Sequence, residues 1–144
     1  MEKPEEACAR FKQGFSCSQA VLSAYAETFG VDNETALRIA GAFGGGMART
    51  GQTCGAVSGA LMVIGLRFGA VAAQDKASKE RAYTAGQELM ARFANRNGSL
   101  LCKELLGCDL STPEGRQVAH EQRLTATRCP LFVEDAARIL EELL

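Results

Sequence analysis

Four cysteines carry the chemistry that this sequence offers: Cys17, Cys54, Cys102 and Cys129, out of six in the chain. The thiolate form of cysteine is both a nucleophile and a metal ligand. Clustered thiolates therefore suit either of two chemistries. Two of them can cycle between dithiol and disulfide, or all four can hold an iron–sulfur cluster or a zinc ion. Their spacing excludes other uses. There is no CxxC, so a thioredoxin-type dithiol is absent, and no CxxCH, so there is no c-type haem motif. The single His120 cannot build a histidine-rich metal site and is expected at the surface. The ligands are too widely spaced for a zinc finger or a ferredoxin loop, so tertiary packing must assemble any shared site.

Placed on the expected helices, Cys17, Cys54, Cys102 and Cys129 each fall at the cap or in the first turn of a helix. Cys8 falls in mid-helix, and Cys108 follows the helix-ending Gly107. A helix N-terminus presents unpaired N–H groups and about half a positive charge. A thiol there ionises more readily. Arg49, Lys103 and Arg128 stand near Cys54, Cys102 and Cys129 in sequence and would act in the same direction, although solvated surface charge is the commoner fate of Lys and Arg. The opposing reading is that these cysteines are small core hydrophobes. The protein would then be a non-enzymatic helical interaction module.

The elements that must position the thiols are helical throughout. No alternating run of strand length and no hairpin dipeptide occurs. Pro4 suits the first turn of a short helix ended by Gly14. Ser16 and Gln19 have capping-box spacing, which predicts a helix from Cys17 to Gly30 with Val21, Leu22, Tyr25 and Phe29 on its apolar face. Asp32 caps a third helix through Phe43, broken by Gly44-Gly45-Gly46. Thr53 is the expected N-cap of a fourth, Cys54 to Phe68. A long amphipathic helix covers Ala73 to Asn97, with Tyr83, Gly86, Leu89, Met90 and Phe93 as its stripe. Ser99 opens a short helix to Leu106, and Thr112-Pro113-Glu114 opens another. The last helix is expected to begin at Cys129-Pro130 and to bury Phe132, Ala136, Ile139, Leu140 and Leu143. The fold class is all-α: a compact bundle of about seven or eight helices in one domain over residues 1–144.

The most distinctive stretch runs from Gly44 to Gly59. A glycine-rich loop feeding a helix start can cradle a phosphate, but this loop lacks a P-loop ending and no strand precedes it. Packing explains it better. Gly51, Gly55 and Gly59 recur every fourth position, a bare stripe that lets another helix approach closely. That approach would bring the Cys54 helix to another cysteine-bearing helix. Gly45, Gly46, Arg49, Gly55 and Gly59 are accordingly the candidates for contacting any bound group.

Size and composition agree with this. At 144 residues the chain can bury a core without staples. Apolar residues are 47% and charged residues 23%, ordinary for a globular protein. A net charge of -1 gives no reason to expect nucleic acid as a partner. No secretory signal is seen at the start, and the longest apolar run, Cys54 to Leu66, is too short to span a bilayer. No membrane partner and a cytoplasmic location are expected. In a reducing compartment, cysteines serve metal or redox chemistry more often than structural disulfides.

The sequence resembles the C-GCAxxG-C-C family of redox-active proteins, short bacterial and archaeal chains with four characteristic cysteines. The resemblance rests on Cys17 within Gly14-Phe15-Ser16-Cys17-Ser18-Gln19-Ala20-Val21, on Cys54-Gly55-Ala56-Val57-Ser58-Gly59, on Cys102 within Asn97-Gly98-Ser99-Leu100-Leu101-Cys102, and on Arg128-Cys129-Pro130. The family label reads GCAxxG where this chain reads CGAxxG. The resemblance implies a redox role for these four cysteines. A similar helical domain accompanies haem in split-Soret cytochromes, but the haem motif is missing here. A thiol redox protein is the leading expectation, followed by metal binding on the same four cysteines. The partner would be a redox protein or a small-molecule electron carrier, and a homodimer fits the glycine stripe as well as a monomer does.

Overall fold

The computed structural model describes all residues 1–144 and is all-α. Eight α-helices follow one another: α1 (Lys3–Lys12), α2 (Cys17–Ala26), α3 (Asn33–Ile39), α4 (Gly55–Phe68), α5 (Lys76–Asn97), α6 (Cys102–Leu106), α7 (Pro113–Glu121) and α8 (Leu124–Leu143). No strand forms; a single antiparallel bridge joins Thr53 to Leu101. No helix is long and apolar enough to cross a membrane.

Helix α2 is the buried centre, and nine of its ten residues are removed from solvent. The expected capping box starts it. Ser16 Oγ accepts from the Gln19 N–H at 3.3 Å, and Gln19 Oε1 accepts from the Ser16 N–H at 3.1 Å. It ends in a short 3-10 turn, Glu27–Phe29, before Gly30, and this accounts for the longer helix expected to reach Gly30. Val21, Leu22 and Tyr25 are buried as expected, whereas Phe29 is half-buried. Tyr25 ties α2 to α8: its hydroxyl donates to Ala137 O at 3.2 Å and to Glu141 Oε1 at 3.0 Å.

The α2–α4 contact is built on missing side chains. A Cβ on Gly59 would stand 2.8 Å from Ser18 O and 3.2 Å from Ser18 Cα, and one on Gly55 would stand 3.1 Å from Ser18 N and 3.2 Å from Cys17 Cβ. Backbone therefore lies on backbone here. Gly51, the third member of the expected stripe, lies in the preceding loop at φ +73 and faces Lys103 and Asp109 instead.

Several expected boundaries shift for physical reasons. Helix α3 ends at Ile39, not Phe43. The chain tightens there as Ala40 O accepts a 3.0 Å bond from the buried Ser18 hydroxyl. Helix α4 is capped by Cys54 rather than Thr53, because Thr53 is spent on the bridge to Leu101. That bridge also delays α6 to Cys102. Helix α5 begins at Lys76, with the Asp75 side chain accepting from the Ser78 N–H at 3.1 Å. Of its expected stripe, Gly86, Leu89 and Phe93 are buried and Met90 is half-buried, but Tyr83 is exposed, with Lys79 over its ring.

The largest departure is α8. It begins at Leu124, so Cys129 and Pro130 lie inside it rather than at its start. An interior proline costs the bond to the carbonyl four residues back, roughly 3 kcal/mol in an isolated helix. Tertiary anchors hold the turns before it. Leu124 is buried, and Arg128 Nη1 donates to Leu106 O at 2.8 Å, closing the C-terminus of α6. Beyond Pro130 the expected apolar face holds: Ala136, Ile139 and Leu140 are fully buried, and Phe132 meets Phe93 edge-on at 6.2 Å.

Two glycines of α4 test this account. Gly59→Ala gains helix propensity but drives a methyl into the Ser18 backbone, so it should destabilise by about 1–3 kcal/mol. Gly65→Ala has nothing within 4 Å of its new methyl, and it should stabilise by roughly 0.5–1 kcal/mol. Denaturant unfolding of the two variants should show opposite signs.

Candidate functional site

The site is built where α2, α4, α6 and α8 meet. Cys17 is the first residue of α2, Cys54 caps α4, Cys102 is the first residue of α6, and Cys129 lies in the interior of α8. All four are buried, and all four line one cavity of about 1540 Å³. Three of the four helix-start placements therefore hold, and the fourth does not.

Each thiol is delivered by local structure. The capping box sets Cys17 at the top of α2. The antiparallel bridge fixes Cys54 and Cys102 together, since Cys54 N–H donates to Leu100 O at 2.8 Å and Cys102 N–H donates to Gln52 O at 2.7 Å. The triple-glycine loop closes against both flanks. A Cβ on Gly44 would meet Ser16 Cβ at 2.8 Å, and one on Gly46 would meet Cys102 Cβ at 2.6 Å. The Arg128 bond to the end of α6 anchors the turn of α8 that brings Cys129 to the same cavity.

Electrostatics separates the four. The mutual influence of the Cys17 and Cys129 thiols is the largest at both residues, ahead of burial. It lowers Cys129 below the ordinary thiol range in spite of burial. It raises Cys17 well above that range, and burial and the other three thiols push the same way. Burial pushes Cys54 up to about 11, even though the Ala56 and Val57 N–H groups at the α4 N-terminus act to lower it. Burial also pushes Cys102 up to about 12, with the charges of Cys54 and Cys129 adding to the rise. The expectation that helix starts would make these thiols acidic is thus corrected. The helix effect is present at Cys54, but desolvation exceeds it, and the one acidified thiol sits in mid-helix.

The remaining candidates divide. Gly45, Gly46, Arg49 and Gly55 line the cavity, while Gly59 is spent on the α2–α4 contact. Arg49 is exposed at the cavity, Lys103 is exposed outside its lining, and Arg128 is tied to α6 carbonyls; its charge acts on Cys108, not on Cys129. His120 is exposed, as expected, and lies on the cavity wall. Cys8 and Cys108 are half-buried and outside the lining. Sequence reasoning missed Phe15 and Phe132, which face the thiols' cavity, and the cations Lys12, Arg116 and Arg123 on its wall. None of these has a motif; only the fold gathers them. No group of three or more His, Cys, Asp or Glu side chains is arranged to hold a metal ion.

Fold and site together define an all-helical protein with four cysteines on one cavity. The sequence model of the family described as "Putative redox-active protein (C_GCAxxG_C_C)" matches residues 15–143. The chain belongs to this family, whose match includes α2 to α8 and all four cavity cysteines and leaves out Cys8. No curated protein and no solved structure matches the chain.

The buried thiols make stability pH-dependent. In the unfolded chain cysteine ionises near about pH 8.5. In the fold Cys54 and Cys102 keep their protons to about 11 and about 12, and Cys17 shifts the same way. Only Cys129 acts oppositely. Above about pH 8.5 the unfolded state binds fewer of these protons than the fold, so stability is full below that pH and falls as pH rises toward 11–12. Thermal melting in reducing buffer from about pH 8 to about pH 11 should show this decline. Cys54→Ala should flatten the slope; parallel slopes would assign the decline to other groups.

Proposed function

We propose that this protein is a thiol redox protein in which Cys129 is the nucleophile and Cys17 the resolving thiol. The observation that carries this reading is that Cys17 and Cys129 line one cavity and each is the largest influence on the other's acidity, in opposite directions. That is the asymmetry a dithiol pair needs, because the attacking sulfur must be a thiolate and the second must wait.

The reaction balances as two exchanges. The Cys129 thiolate attacks a substrate disulfide, forming a mixed disulfide and releasing one substrate thiolate. Cys17 then loses its proton to that thiolate or to water and attacks Cys129 Sγ. The Cys17–Cys129 disulfide forms and the second substrate thiolate leaves. One disulfide is consumed, one is formed, and the protein has lost two electrons; a reducing partner reverses the sequence.

Cys54 and Cys102 complete the cavity wall as neutral thiols, which keeps the surroundings of Cys129 poorly solvated. A shared metal ion on the same four cysteines is the less favoured reading, since no three of them are arranged around one position.

Oxidation with a small disulfide followed by mass mapping should yield a Cys17–Cys129 pair that dithiothreitol reverses. Cys17→Ala should leave a lasting mixed disulfide on Cys129 and slow its alkylation at neutral pH several-fold. Cys129→Ala should abolish both reactions. Failure to find any reversible pair among the four cavity cysteines would reject the reading.

A further inference from the structure

The charge on the cavity wall is one-sided. Lys12, Arg49, Arg116 and Arg123 line it, against a single carboxylate, Glu121. This is unexpected in a chain with 16 basic and 17 acidic residues. None of the four takes part in an ion pair, although Arg116 Nη1 donates to Leu110 O at 2.9 Å; the chain's salt bridges use Lys3, Arg10, Arg38, Arg92, Arg96 and Arg138 instead. The four come from separate parts of the chain: the end of α1, the loop before α4, α7 and the residue that opens α8. Only the tertiary fold makes them one group.

Arg49 is held in place at a cost. Gly45, Gly46, Met47, Ala48 and Arg49 all have positive φ, between +53° and +74°. Each non-glycine residue in that region costs of order 1–2 kcal/mol. Backbone hydrogen bonds repay this within the loop: Ala48 N–H donates to Ala42 O at 2.9 Å, Arg49 N–H to Gly44 O at 3.0 Å, and Gln52 N–H to Gly46 O at 2.8 Å. The same wall also carries apolar side chains, among them Phe15, Leu105, Leu110 and Phe132. The volume, about 1540 Å³, exceeds the roughly 300–1,000 Å³ of ordinary small-molecule pockets.

We infer that this cavity selects a small organic disulfide bearing carboxylates, which its unpaired cations draw in and hold over Cys129. The inference rests on the Cys129–Cys17 reading and names the substrate class for it. Carboxylates on both halves of the substrate would pair with cations from different parts of the chain, holding the S–S bond within the cavity that the thiols line. The exchange keeps the balance given above, each half leaving as a carboxylate-bearing thiolate. Cations near the leaving sulfur also favour its departure, because developing negative charge is stabilised there.

The test compares disulfides that differ in charge. Single-turnover oxidation of the reduced full-length protein would be followed with dithiodipropionate, which is anionic, with hydroxyethyl disulfide, which is neutral, and with cystamine, which is cationic. Rates are divided by those for a free small thiol with the same reagents, which removes differences in intrinsic reactivity. The corrected rate at about 0.01 M salt should be at least about tenfold higher for the anionic reagent than for the cationic one. The preference should shrink toward unity near 1 M salt, where the Debye length is about 3 Å. The double variant Lys12→Glu with Arg116→Glu should invert the preference. Lys76→Glu with Lys79→Glu, the same charge change outside the cavity, should leave it intact.

Equal corrected rates for all three reagents, each still giving the Cys17–Cys129 disulfide, would overturn this inference and leave the thiol reading standing. No intramolecular disulfide with any reagent would overturn both.

Discussion

The backbone of α4 resting on the backbone of α2 is the contact from which the site follows. Gly55 and Gly59 let the first turns of α4 come against Cys17 and Ser18, with hypothetical methyl groups only about 3 Å from main-chain atoms. Any side chain there would push the helices apart and open the space between Cys17 and Cys54. Ser18 extends the same constraint in another direction. It is fully buried, and its hydroxyl binds Ala40 O, which turns the end of α3 and launches the triple-glycine loop over the top of α2. That loop then passes Cys102 at the closest range a glycine permits. One helix contact thus fixes two thiols directly and reaches the third through the chain that it redirects.

The chemistry follows from how buried thiols share protons. Dipoles at helix starts favour a thiolate, and the Ala56 and Val57 N–H groups act on Cys54 in that direction. Removing a charge from water opposes this, and at Cys54 and Cys102 the removal prevails. A neighbouring thiol is a better source of acidity here. It donates a hydrogen bond without importing a formal charge that would itself need solvation. On the proposed reading Cys17 supplies that donor and Cys129 holds the anion, although no helix terminus points at it. Protons leave such a pair in coupled steps, and the acidity belongs to the pair rather than to one residue.

Much of this was legible in the sequence where a local signal and the fold agreed. The Ser16–Gln19 box set the first residue of α2, and the four-residue glycine period foretold a close helix contact that α2 and α4 provide. The selection of Cys17, Cys54, Cys102 and Cys129 over Cys8 and Cys108 matches the cavity lining. The failures share a cause: tertiary contacts overruled local preference. Pro130 reads as a helix start because it has no N–H to lose there, yet Leu124 and the Arg128 bond to α6 carry the helix through it. Thr53 reads as a cap, but pairing with Leu101 uses it otherwise. The cations of the cavity were illegible because Lys12, Arg49, Arg116 and Arg123 lie in four unrelated contexts.

The grouping of four thiols limits their charge more than it enhances it. Cys54, Cys102 and Cys129 lie within one another's electrostatic reach, and Cys17 senses all three. Each thiolate therefore raises the pKa of the next, which disfavours a second anion in the cavity. Cations placed directly against the sulfurs would relax that limit, but they would also pair with the nucleophile and occupy the approach to it. The structure places them on the cavity wall together with apolar side chains. On the proposed reading such a layout leaves a Cys129 thiolate unpaired for attack while the cations remain available to the negative charge of the incoming molecule. Burial, which looked at first like evidence for inert core cysteines, is on the proposed reading the condition that makes the coupled protonation of the Cys17–Cys129 pair govern reactivity.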